Sequence, residues 1–186
     1  MSTITYMEAP LWDADSCLKI REMALETGTP WAPTVNDGQS KLDIRKTTGF
    51  TLPEETIQGP EYRKMMHDLI SSCLASNVWN FRLYADNNLT TGVQILRYLP
   101  GDFYMKHTDW GSIHGTRKIS LTMQLSDPSE YKGGGMVLYD GPDPLKANKT
   151  QGTATFFPSW TLHEVKPVMK GERWALVCWF NGPPYC

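Results

Sequence analysis

The sequence predicts a mainly β fold with N-terminal helices, an α+β arrangement in which a sandwich or jelly roll packs against two helices. Three observations carry that expectation. From residue 92 onward the chain breaks into seven short runs rich in β-branched and aromatic residues. Gly, Pro, Asn and Asp separate those runs, and these residues supply turn geometry rather than ladder pairing. Ahead of them, two stretches carry apolar residues at helical spacing.

Taken in order, residues 13–27, DADSCLKIREMALET, set Leu18, Met23 and Leu25 among charges, offer Asp13 or Asp15 as a cap and stop at Gly28, which predicts a helix. WAPTVNDGQSKLDIRKTTGFTLPEE follows, with turn chemistry at Asn36-Asp37-Gly38, a strand expected over 42–52, and a 31–40 loop placed to cover a pocket. A second helix over 59–77 opens with Pro60 in its first turn and presents Met65, Met66, Leu69, Ile70, Cys73 and Leu74 as a broad apolar face. The seven β runs are VQILRYL, DFYMKHTD, RKISLTMQLS, GMVLYD, GTATFFPS, LHEVKPV and ERWALVCWF. A chain of 186 residues needs only one domain, with helical support over about 1–91 and a jelly-roll core over about 92–182.

Composition narrows the function classes. Eighteen Lys and Arg against twenty Asp and Glu leave a formal net charge of -2, which provides no general field for nucleic acid or an anionic membrane. The first residues lack a basic region followed by an apolar one, and no run approaches the roughly eighteen apolar residues of a membrane span. Cys17, Cys73, Cys178 and Cys186 form no C-x-x-C pair, which fits a reducing compartment. A cytoplasmic protein acting on a small or peptide ligand is expected, with no nucleic acid and no membrane partner.

The chemistry concentrates in YMKHTDWG. On a strand over 103–109, His107 and Asp109 would project from one face with Cα atoms roughly 7 Å apart and could converge on one ion. His163 in TLHEVKPV supplies a third ligand. Two His and one carboxylate form the facial triad that leaves positions open on Fe(II), whereas a structural zinc site would close four positions with Cys or His. Arg173 lies ten residues after His163, beyond an MKGE turn expected to bring the next strand alongside. Its planar guanidinium suits the far carboxylate of a dicarboxylate whose near end chelates iron, and 2-oxoglutarate has that form. His114, flanked by glycines, is a rival ligand read as a surface or mobile residue.

With these residues in view, the chain resembles the prolyl 4-hydroxylase-like branch of the Fe(II)/2-oxoglutarate-dependent dioxygenases over about residues 41–182. The resemblance rests on SKLDIRKTTGFTL, RYLPGDFYMKHTD, LSDPSEYKGGGMVLYD, GTATFFPSWTLHEVKPV and GERWALVCWF. It implies a double-stranded β-helix, the cupin-like jelly roll, with His107, Asp109 and His163 holding iron and Arg173 binding the distal carboxylate of 2-oxoglutarate. Tyr98 and Tyr104 match tyrosines lining the cosubstrate pocket. Trp179 matches a substrate-contacting Trp, Arg117 a position near the substrate entrance, and Arg45 belongs to the segment similar to that of prolyl hydroxylases. Hypoxia-type members share the distal carboxylate with a Tyr that is Gln124 here, leaving Thr122 or Gln124 for that contact.

The resemblance further implies O2 as oxidant, ascorbate as reductant, and hydroxylation of proline within a peptide or protein. Hydroxylation of a free amino acid or other small molecule on the same scaffold is the alternative, and a non-enzymatic cupin-like binding module a more distant one. Relatives that repair alkylated bases carry a second Arg where this chain has Trp179.

Overall fold

The computed structural model describes residues 5–32, 42–84, 93–111 and 114–185. Strand β1 (Met7–Pro10) leads into helix α1 (Ala14–Glu26); β2 (Thr29–Trp31), β3 (Arg45–Lys46) and β4 (Thr48–Thr51) precede helices α2 (Glu54–Gln58) and α3 (Pro60–Ala75). Then come β5 (Gln94–Tyr98), β6 (Phe103–His107), β7 (Arg117–Gln124), a 3-10 turn at Pro128–Glu130, β8 (Tyr131–Gly133) and β9 (Met136–Tyr139). The chain continues through β10 (Leu145–Lys146), β11 (Thr153–Pro158), β12 (Leu162–Val165), β13 (Val168–Gly171) and β14 (Arg173–Asn181).

Both expected long helices form. Asp13 caps α1, its side chain accepting the Ser16 amide at 2.8 Å and so satisfying one of the free N–H groups of the first turn. The buried face of α1 differs from the expected one. Cys17, Ile20 and Ala24 pack inward, while Leu18 and Leu25 are 47% and 56% exposed. Helix α3 begins at Pro60 and buries Tyr62, Met65, Met66, Leu69 and Cys73, with Leu74 turned out.

The strands pair antiparallel in a seven-stranded sheet, β1-β11-β7-β14-β5-β4-β2, and a five-stranded sheet, β10-β9-β12-β6-β3, with β13 and β8 as a separate ribbon. This is the predicted jelly-roll architecture. Strand β14 shows how the layers form. Trp174, Leu176, Cys178 and Phe180 join the apolar core with residues of α1 and α3, while Arg173, Ala175, Val177 and Trp179 face a cavity on the other side. Each large side chain so buried contributes about 1.5–3 kcal/mol, which makes this central strand a rigid platform.

The chain ahead of residue 92 supplies more than helices. The strand expected over 42–52 is two strands in different sheets: β3 pairs with β6 in the small sheet and β4 with β5 in the large one. The crossing is at Thr47, whose hydroxyl donates to the Arg97 carbonyl at 2.7 Å. The expected MKGE turn is also revised. Val168–Gly171 is strand β13, and β14 then enters the large sheet, whereas β12 lies in the small one. Gly171 permits the turn, with φ 76° and no room for a Cβ, which would sit 2.0 Å from the Glu130 carbonyl oxygen. Of the 31–40 loop, residues 33–40, including the Asn36-Asp37-Gly38 turn, lie outside the described residues.

Candidate metal centre and its cavity

Between the two sheets lies a cavity of about 210 Å³, below the roughly 300–1,000 Å³ of sites for drug-sized ligands. A small acid fits it, with only one end of a larger substrate. The small sheet contributes His107 at the end of β6 and His163 in β12, directly opposite each other in register. Asp109 is not on the strand as expected. β6 ends at His107, and Asp109 sits in the following loop, its amide donating to the Ser159 carbonyl at 2.9 Å. The outcome is nonetheless convergence, because the ligand atoms of His107, Asp109 and His163 all lie within 4.8 Å of one another.

Both imidazoles are oriented in the same way. His107 Nδ1 lies 2.8 Å from the Met105 carbonyl and His163 Nδ1 lies 2.9 Å from the Thr161 carbonyl. A carbonyl can only accept, so each Nδ1 carries the proton and each Nε2 presents a lone pair. The Nε2 atoms stand 3.7 and 3.6 Å from the two Asp109 oxygens. That is too far for hydrogen bonds and within the span of donors sharing one ion at about 2.0–2.2 Å each.

Electrostatics favour the ligand states. Burial, with His163 beside it, pulls the His107 imidazole well below its ordinary pKa and keeps it neutral. Burial alone would raise Asp109, but His163, His107 and the Ser120 hydroxyl outweigh it and hold the carboxyl below its usual value, ionised. Ser120 Oγ donates to Asp109 at 2.6 Å and is 3.0 Å from Ser159 Oγ, a buried hydroxyl pair that the sequence reading missed. Ser120 lies two residues before Thr122 on the same face of β7, and that period is the signal that would have found it.

Around the centre, Tyr104 stacks on His107 with ring centroids 3.5 Å apart, and Phe157 meets His163 edge to face at 4.8 Å. Arg45 lies 4.6 Å over the Tyr104 ring and reaches Gln94 at 3.4 Å. Arg117 sits 3.8 Å over the Trp179 ring and donates to the Asp109 carbonyl at 3.4 Å. Tyr98, Thr122, Arg173 and His114 also line the cavity, so His114 is not the detached surface residue expected. Gln124 is not among the lining residues, although it pairs with Ala175, which is.

Arg173 is the most unusual group. It is 1% exposed, lies 5.2 Å from the Tyr98 ring, and its three guanidinium nitrogens have no hydrogen-bond partner among the described residues. A buried unpaired charge is strongly unfavourable unless something supplies the missing partner. A carboxylate provides two acceptors in the matching plane, so these residues fit a dicarboxylate reaching from the metal cluster to Arg173.

Fold and cluster together define a jelly-roll protein with a His-Asp-His cluster that could hold a metal ion. Residues 93–181 match the 2OG-Fe(II) oxygenase superfamily. A PKHD-type hydroxylase of Thermosynechococcus vestitus is 33% identical over 153 residues, 80% of this chain and 67% of that protein. One of Idiomarina loihiensis is 39% identical over 88 residues, 47% of this chain and 40% of the relative, so the matched stretch spans less than half of that relative's length. A solved prolyl hydroxylase of Trichoplax adhaerens, in complex with a hypoxia inducible factor oxygen degradation domain peptide fragment, shares the fold at a TM-score of 0.74. The match has 16% identity and covers 95% of this chain and 83% of that one. The chain belongs to the 2OG-Fe(II) oxygenase superfamily and is similar to its prolyl 4-hydroxylase-like members, as the motif resemblance anticipates.

Proposed function

We propose that this protein is an Fe(II)- and 2-oxoglutarate-dependent dioxygenase that hydroxylates prolyl residues in a peptide or protein. The observation that carries the reading is Arg173, a fully buried guanidinium without a hydrogen-bond partner among the described residues, in the same cavity as the His107, Asp109 and His163 cluster. Family membership and the hydroxylase relatives support the reaction class, and the peptide-bound Trichoplax structure supports a peptide substrate.

When bound, Fe(II) and 2-oxoglutarate supply oxidative decarboxylation to succinate coupled to insertion of one oxygen atom from O2 into a C–H bond. His107, Asp109 and His163 hold the metal through three donors, and Ser120 fixes the Asp109 carboxylate. Arg173 anchors the distal carboxylate, with the Tyr98 ring beside it and Thr122 lining the same cavity. Tyr104 stacks on His107 and limits the room on that side. The flat Trp179 ring offers an apolar wall to proline, whose nearly fixed φ leaves little entropy to lose on binding. The work of these residues is positioning and exclusion of water rather than acid-base catalysis.

Calorimetric titration of 2-oxoglutarate into protein loaded with Mn(II) in place of iron tests the anchor. Arg173→Lys should weaken binding about ten- to a hundredfold, because an ammonium cannot reproduce the fork. Unchanged affinity would move the carboxylate elsewhere. Mass spectrometry on proline-containing peptide libraries with Fe(II), ascorbate and 2-oxoglutarate then tests the substrate. A hydroxyl gained on proline supports the reading, and turnover of a free amino acid alone would replace it with the small-molecule alternative.

A further inference from the structure

The cavity carries more positive charge than a metal and 2-oxoglutarate account for. Arg45, Arg117 and Arg173 all line it, at 8%, 9% and 1% exposure, and Asp109 is the one carboxylate among its described lining residues. Fe(II) and the 2-oxoglutarate dianion cancel each other, and Asp109 offsets a single guanidinium, so two positive charges remain.

The surplus sits at the metal end. Arg173 and Trp179 stand six residues, or about 20 Å, apart along β14. Arg117 lies over Trp179, and Arg45 lies over the Tyr104 ring that stacks on His107. The hydrogen bonds of these two arginines are long, 3.4 Å to Gln94 for Arg45 and 3.4 Å to the Asp109 carbonyl for Arg117. The Nε atom of each is buried with no partner among the described residues. Two guanidinium groups so desolvated and so poorly satisfied call for an anion that the protein does not itself supply.

We propose that Arg45, with Arg117, binds a carboxylate carried by the substrate close to the carbon that reacts, so that the site selects acidic substrates. The proposal rests on the hydroxylase reading above and deepens it. The same group is offered by an acidic side chain next to a proline, by the terminal carboxylate of a peptide, or by a free amino acid, the last of which would keep the dioxygenase reading and replace its peptide substrate with the small-molecule alternative.

The test uses protein loaded with Mn(II) and 2-oxoglutarate, titrated calorimetrically with three matched pairs: a peptide ending in proline as acid or amide, a peptide with an internal proline followed by Glu or Gln, and free proline or prolinamide. At least one acidic member should bind about ten- to a hundredfold more tightly than its neutral partner, and the pair that does so names the source. Arg45→Gln should bring that ratio close to one, while Arg45→Lys, which keeps the charge and guards against a folding defect, should retain part of it. Equal affinity within all three pairs, or a ratio that survives both Arg45→Gln and Arg117→Gln, overturns the proposal. If 2-oxoglutarate binds normally and the pairs show no preference, this inference alone fails. If 2-oxoglutarate does not bind, the underlying reading fails and takes this inference with it.

Discussion

Strand β7 of the large sheet is buried along all eight of its residues, whereas β6 of the small sheet leaves Met105 50% exposed and its neighbour Lys106 in solvent. The large sheet is covered on both faces, by α1 and α3 on one side and by the cavity on the other. The small sheet has one covered face. Each contributes a different part of the candidate site. The covered sheet carries Arg173, Thr122 and Trp179, while His107 and His163 sit on the exposed one. The proposed anchor is thus held by core packing, and the proposed metal ligands are held by strands that a bound ion would tie together.

The contrast is easiest to break by truncation. Leu176→Ala, on the helix side of β14, should destabilise the protein by about 2–5 kcal/mol, while Met105→Ala on the small sheet should stay within about 0.5 kcal/mol. Urea unfolding curves for the two variants measure the difference, and similar losses would remove the distinction between the sheets.

Metal binding sharpens it. At a free concentration one hundred times its Kd, a divalent ion stabilises the folded state by about 2.7 kcal/mol. Amide hydrogen exchange should then slow mainly in β6 and β12, where the two histidines sit, and change little in β7 and β14. Uniform protection across both sheets would count against the division.

Arg173→Met removes the unpaired charge from the covered sheet. Replacing a buried charge by an apolar group of similar volume is often neutral or stabilising by about 1–4 kcal/mol, so the ligand-free variant should melt at the same temperature or higher. It should also lose the stabilisation that 2-oxoglutarate gives the unmutated protein. A lower melting temperature without ligand would mean that Arg173 has a structural partner.

Ser120→Ala tests a hydroxyl that links β7 of the large sheet to the Asp109 carboxylate. Losing a hydrogen bond to a ligating carboxylate should weaken Mn(II) binding about ten- to a hundredfold, with the fold intact by circular dichroism. Unchanged affinity would leave Ser120 a packing residue.

The same contrast explains what was legible in the sequence. His107, Asp109, His163 and Arg173 stand out because His, Asp and Arg are rarely placed in or beside apolar strands without a task, and they fall in two local pairs, His107 with Asp109 and His163 with Arg173. Ser120 does not stand out, since a serine in a β run has many ordinary uses. The inward face of α1 is not legible in the sequence because it is made of Cys17, Ile20 and Ala24, two of them small, while the bulkier Leu18 and Leu25 face solvent. The sequence predicts one strand over 42–52 because strand-forming composition carries no record of the partner, and β3 and β4 join opposite sheets.

The sheet order has one more consequence. The outermost strands of the large sheet, β1 and β2, each contain a proline, Pro10 and Pro30, and the small sheet ends on the two-residue strands β10 and β3. An open edge with free N–H groups is a template on which a foreign chain can add another strand and begin a fibre. Proline offers no N–H, and two residues give too short a ladder to hold a newcomer. The two larger sheets are thereby protected against edge-to-edge polymerisation by a few residues at their margins.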